Sequence, residues 1–190
     1  MSGKGSAVPS VPKPDRRVER TRQALLDALR DLLLERGYDG FAVRDIVERA
    51  NVGRSTFYEH FEGKDEIFRE SLALPVEGLA ASTCEPGGLE RLEATLLHFA
   101  ENRRLIVATL GGSARRLMSQ VLSEHIAAYL TARLHTERRS FSIPVQLAAD
   151  HLADAQLGLI ESWFANEMPC DAASLARALR ASTAASIAAL

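Results

Sequence analysis

Residues 25–68 read LLDALRDLLLERGYDGFAVRDIVERANVGRSTFYEHFEGKDEIF, and their spacing decides the fold. Leu25, Ala28, Leu29, Leu32 and Leu33 recur at i, i+3, i+4, i+7 and i+8, which is one face of an α-helix. Gly37, free to take a positive φ, ends that helix. Val43, Ile46, Val47 and Ala50 supply the buried stripe of a short second helix. Asn51, Val52 and Gly53 then break the pattern, and Asn and Gly both tolerate the left-handed backbone of a tight turn between helices. A third helix is expected over about 54–60, with Phe57 and Phe61, four apart, facing the same core. Gly63 breaks it, and Lys64 opens a fourth helix through Ile67, Phe68 and Leu72.

Helix, three-residue turn and short polar helix form the layout of a DNA-reading corner. The second helix of such a corner must bury one side and offer donors from the other. With Phe57 and Phe61 turned inward, Arg54, Ser55, Thr56, Tyr58 and His60 remain outward. Arginine can grip guanine with two hydrogen bonds, and Ser and Thr can serve bases or phosphates. A Tyr hydroxyl is a phosphate donor on a rigid arm. Lys64, at a helix start, adds positive charge where free backbone N–H groups already favour an anion. By spacing alone the same corner also suits a plain solvated surface.

Upstream, Pro9, Pro12 and Pro14 stand among small polar residues, so residues 1–14 are expected to be a disordered tail. Between Met1 and Arg22 there are six cations against two anions, in a chain whose net charge is only −2. Such a stretch can follow phosphates or enter a minor groove, or simply stay solvated. Downstream, Pro75 is expected to kink or end the fourth helix. Ser82 to Gly88 reads as a loop. Helical pattern resumes at Leu89, Leu92, Leu96, Leu97 and Phe99, is interrupted at Gly111 and Gly112, and continues through Leu117, Val121, Leu122, Ile126 and Leu130. Two closing helices are expected over about 145–166 and 172–189. No β-type alternation or repeat of solenoid period occurs. The expected fold is all-α, with about nine helices. A three-helix DNA-binding domain (15–64) precedes a helical effector and dimerisation domain (65–190).

The 46% apolar composition is that of an ordinary globular chain. No apolar run is long enough for a membrane helix, and the first residues lack a signal peptide's apolar core, so a cytoplasmic location is expected. Cys84 and Cys170 stand alone and are expected to be reduced. There is no nucleophile–base pair, no phosphate loop and no metal-ligand spacing, so no enzyme activity, cofactor or metal is expected.

The stretch 25–68 resembles the N-terminal domain of TetR-family regulators. "ERGYDGF", "VRDIVERANV" and "STFYEHFEGKDEIF" carry the likeness, and the order Tyr58, His60, Phe61, Lys64 is specific to it. The resemblance implies that Arg54, Ser55 and Thr56 approach bases and backbone in the major groove. It implies that Tyr58, His60 and Lys64 hold phosphates, and that Arg44 also reaches DNA. Arg16, Arg17 and Arg20 resemble the basic arm that many members carry before the first helix. Three departures stand out. Ala42 replaces a Ser or Thr that would cap helix two, a loss of about 1 kcal/mol. Val47 replaces a small Ala. Gly53 leaves the reading helix without a side-chain cap. Glu59 also faces roughly outward, where it would repel phosphate.

Residues 89–190 resemble, more loosely, the family's effector domain, notably in "AQLGLIESWFANEMPCDAASLARAL". This implies a homodimer through the last two helices and a small-molecule effector bound among the helices between Leu89 and Asn166. Candidate lining residues are Phe99, Arg103, Met118, His125, Tyr129 and Trp163, with His98 and His151 nearby. The implied function is a dimeric repressor released from a palindromic double-stranded operator by its effector. A family-fold adaptor or co-activator working through a protein partner is the alternative.

Overall fold

The computed structural model describes residues 16–84, 88–138 and 140–190; the tail expected over 1–14 lies outside them. The leucine stripe forms α1 (Arg16–Arg36), with Leu25, Ala28, Leu29, Leu32 and Leu33 buried as the spacing predicts. Gly37 ends it at φ 65°, and its N–H donates to the Leu33 carbonyl. A single 3-10 turn (Tyr38–Gly40) leads into α2 (Val43–Ala50). Asn51 takes the left-handed conformation of the turn (φ 54°, ψ 46°), whereas Gly53 stays extended. Then come α3 (Arg54–Tyr58), α4 (Lys64–Ser71), α5 (Ala73–Cys84), α6 (Gly88–Glu101), α7 (Arg103–Thr109), α8 (Gly112–Glu137), α9 (Val145–Ala165) and α10 (Ala172–Ala189).

Ten α-helices among the described residues, rather than about nine, follow from two breaks that the spacing does not show. The first is at Leu72, not at Pro75. A proline ring lacks an N–H and crowds the carbonyl four residues earlier, here that of Ser71, so the helix parts upstream and Pro75 falls in the first turn of α5. The second is at Asn102, between α6 and α7. The loop expected over Ser82–Gly88 is shorter than that, since helical backbone runs to Cys84 and resumes at Gly88. Arg16, Arg17 and Arg20 do not form an arm before the first helix: they occupy its exposed opening turns.

One apolar core joins the elements, from Leu25 on α1 to Ile187 on α10. α8 and α9 pack along each other, α5 lies against both α6 and α8, and α10 covers α6 and α9. The first three helices dock onto this body where α1 meets α7 and the 3-10 turn meets α8. Asp39 makes the second contact specific, its Oδ2 accepting from the Ser113 N–H at the start of α8 (3.2 Å). The Ser113 side chain, and then this backbone bond, hold the Asp39 carboxyl below the usual carboxylate range. Arg22 of α1 pairs with Glu70 of α4, and Arg69 of α4 with Glu124 of α8 (3.2 Å).

Candidate nucleic-acid interface

The reading corner is built from the inside. Phe57 is wholly buried and Phe61 nearly so, with their ring centroids 5.8 Å apart. That anchor rotates α3 so that Arg54, Ser55, Tyr58 and Glu59 face solvent, with Thr56 and His60 half-buried at its edges. The Phe57 ring meets Tyr58 edge-on at 5.3 Å, and the Arg54 guanidinium lies over the Tyr58 ring at 5.7 Å. The ring thus restrains the guanidinium on the outer face, which lowers the entropic cost of gripping a partner. α2 braces this helix. Its Arg49 is held by Glu35 (2.6 Å) and Asp31 (3.7 Å) of α1, and Arg36 of α1 reaches Asp45 of α2 (3.0 Å). Arg44, on the same helix, is exposed and carries no ion pair among the described residues. Cations between α1 and α2 are therefore spent on the scaffold, while Arg44 and Arg54 stay available for anions.

Caps around the corner are incomplete, as the sequence departures imply. The Ala42 N–H donates to Asp45 Oδ2 (2.9 Å), but no Ala42 side chain returns the bond, so half a capping box remains. Gly53 likewise gives α3 no side-chain cap.

Lys64 is the residue whose placement departs most from the family's implication. Its ammonium turns inward, donating to the carbonyls of Tyr38 (3.0 Å) and Phe41 (2.9 Å). It lies 4.1 Å from the centroid of the Tyr38 ring and 5.0 Å from that of Phe41. The Tyr38 hydroxyl donates to Asp65; burial, then that bond, pushes the phenol's pKa above its ordinary value. Lys64 thereby locks the 3-10 turn onto α4.

A cavity of about 290 Å³ lies between α1 and the body, with further walls from α4, α5, α6, α7 and α8. Phe99 and Met118 line it, as does His98. Arg103, His125, Tyr129 and Trp163 do not. Arg103 sits on an outer depression, and His125 Nδ1 lies 2.8 Å from the Val121 carbonyl. Tyr129 packs at the edge of the core. Trp163 Nε1 donates to the Cys170 carbonyl (2.9 Å), fastening α9 to the approach of α10. What the sequence reading missed is the contribution of α1, through Gln23, Leu26 and Arg30. Leu26 is the visible signal: it stands off the leucine stripe and widens the apolar arc of α1 beyond what its own core needs.

A helix-turn-helix head seated on an all-helical body is the architecture of a DNA-binding transcription regulator. A family model described as "Bacterial regulatory proteins, tetR family" matches residues 25–71. A second, described as "Transcriptional regulator C-terminal region", matches residues 89–183, half of the chain. This chain belongs to the TetR family of bacterial regulators, which bind DNA and are not enzymes. The HTH-type transcriptional regulator YxbF of Bacillus subtilis (strain 168) is 41% identical over 70 residues, which are 34% of this chain and 18% of that protein. The chain therefore spans well under two thirds of that relative. The IcaR negative regulator of the biofilm operon icaADBC in Staphylococcus epidermidis is 23% identical over 152 residues, 75% of this chain and 82% of that one. A TetR transcriptional regulator from Streptococcus agalactiae shares the fold with a TM-score of 0.60, at 24% identity over 88% of this chain and 96% of that one. No helix among the described residues is long and apolar enough to cross a membrane.

Proposed function

We propose that the chain is a homodimeric repressor that holds a palindromic operator through two copies of α3 and leaves it when a small molecule fills the cavity beside α1. The position of that cavity carries the reading. One wall is α1 of the DNA-reading unit, and the others belong to α4 through α8. A ligand there touches both parts at once, so its affinity depends on how they are placed. That is the requirement for coupling, which typically amounts to about 1–3 kcal/mol.

In this reading Arg54, Ser55 and Thr56 meet bases and backbone in the major groove, and Tyr58 and His60 hold phosphates. Arg44 and the cations Arg16, Arg17 and Arg20 reach flanking backbone, and Lys64 supports the scaffold instead. The dimer forms through α9 and α10. Leu147 and Leu159 of α9 are exposed, as are Ala178, Ala181 and Ala185 of α10. Small side chains let helices of two copies approach closely. Two-fold symmetry sets the reading helices roughly one DNA turn, about 34–36 Å, apart. The protein works in the cytoplasm, where its operator lies.

Selection of the purified protein against random duplex DNA, followed by salt titration, tests this. The expected result is a palindrome whose affinity falls steeply with salt. A folded, ligand-free dimer that enriches no sequence would refute it.

A further inference from the structure

The cavity beside α1 is apolar in depth and charged at its edge. Its inner walls, among them Phe68, Val76, Leu79, Phe99 and Met118, are buried. The one buried polar group there, the Thr109 hydroxyl, donates its hydrogen to the Ile106 carbonyl (2.8 Å). Fixed charge in the lining is confined to the exposed side of α1, at Asp27 and Arg30, and His98 of α6 adds an exposed imidazole. Gln23 Nε2 donates to Asp27 Oδ1 (3.0 Å).

Arg30 and Leu105 also line a second depression of about 240 Å³, together with Arg103 and Arg104 of α7 and a single acid, Glu101. The two hollows share these two residues in their walls, and the outer one is lined by Arg30, Arg103 and Arg104 against Glu101, although the Arg103 guanidinium turns to the Phe164 carbonyl of α9. Many arginines of this molecule are spoken for: Arg22 by Glu70, Arg36 by Asp45, Arg49 by Glu35, Arg115 by Asp154 and Glu161. Arg30 and Arg104, by contrast, have no hydrogen-bond or carboxylate partner among the described residues, and Arg103 has only a 3.5 Å contact with the Phe164 carbonyl.

We infer that the ligand of this cavity is an amphipathic anion, with an apolar body among α1, α5, α6 and α8 and one terminal acid group at Arg30 and Arg104. The inference rests on the reading of the cavity as the effector site. An acid group driven to the apolar end would lose its hydration with no partner to replace it. At the rim it stays wet and meets guanidinium groups that suit a carboxylate bidentately. An uncharged analogue of the same shape forgoes those bonds, and a cationic one meets like charge. Because Arg30 belongs to α1 and Arg104 to α7, the acid group bridges the reading unit and the body.

Calorimetry on the full-length protein with octanoate, octanol and octylamine, at one pH and ionic strength, tests this. Octanoate is expected to bind about tenfold or more tighter than octanol, and octylamine weakest. The doubly substituted Arg30→Ala/Arg104→Ala protein, altered only at exposed side chains, should bind octanoate about tenfold more weakly and octanol unchanged. Octanol binding as tightly as octanoate, or a preference for the acid that survives both substitutions, would overturn the inference. If none of the three binds, both the ligand class and the cavity reading fall. An arginine-dependent preference for octanoate with no release of selected DNA would leave the ligand class standing and refute the effector reading alone.

Discussion

Replacing Lys64 by Met separates a scaffold role from a phosphate contact. The substitution keeps an apolar stem of similar length and removes the ammonium. Two charge-assisted bonds, to the Tyr38 and Phe41 carbonyls at 3.0 and 2.9 Å, are lost. So is the cation held over the two aromatic rings. A hydrogen bond to a charged group contributes about 1.5–3 kcal/mol net, and a cation–π contact about 0.5–1. The two bonds share one ammonium and the site is half-buried, so the terms do not add fully, and a loss of about 2–3 kcal/mol is expected. In a chain of this size that lowers Tm by roughly 5–10 °C. Urea unfolding followed by circular dichroism reads the loss directly. DNA affinity measured against salt gives the complementary reading, with an unchanged slope. A stability change within about 0.5 kcal/mol, joined to a slope reduced by about 0.9 per half-site, would make Lys64 a phosphate ligand and refute the argument.

Three further outcomes follow from the same structure. Gly78→Ala, which in an open helix gains up to about 1 kcal/mol, should instead destabilise by about 1–3 kcal/mol. The new Cβ would lie 2.1 Å from Thr95 Oγ1 and 3.2 Å from Thr95 Cβ, so adding Thr95→Ala should recover most of the loss in a thermal melt. Ala42→Ser should stabilise by about 1 kcal/mol by completing the capping box that Asp45 already half makes, read as a higher urea midpoint. Stability should also fall in acid. The Glu35 carboxyl is held below its ordinary range by Arg49, Asp45 by the Ala42 N–H and then Arg36, Asp154 by Arg115 and Ser119, and Asp171 by Ser174. Their unfolded forms bind protons more readily, so this contribution is complete above about pH 5 and drains away as the pH drops below about 4. A urea midpoint independent of pH between 6 and 3 would contradict it.

The reading corner was largely legible because its cues are local. The α1 stripe, the Gly37 stop, the Asn51 turn and the inward pair Phe57 and Phe61 each depend on residues within one or two turns. The break at Leu72 was hidden because proline acts on a carbonyl four residues upstream of itself. Other features depend on partners distant in the chain. Asp39 and Ser113 are brought together only by the docking of the reading unit on α8. Residue type identified Lys64 as a cation, yet its direction is set by the Tyr38 carbonyl of the 3-10 turn and the Phe41 carbonyl just after it. Among the cavity candidates, Phe99 and Met118 stand on faces that periodicity turns inward. His125, Tyr129 and Trp163 suggest a pocket by residue type alone, and each is bonded or packed elsewhere.

The central claim, that the outer face of α3 reads DNA bases, is tested most directly at Arg54. The measurement is a comparison of the sequences selected from random duplex by the parent protein and by Arg54→Ala. The account predicts that the variant still selects a palindrome but loses preference at one base pair, symmetrically placed in both half-sites, with a cost of about 1–3 kcal/mol there. An unchanged motif, bound with unchanged affinity, would show that α3 does not carry the readout.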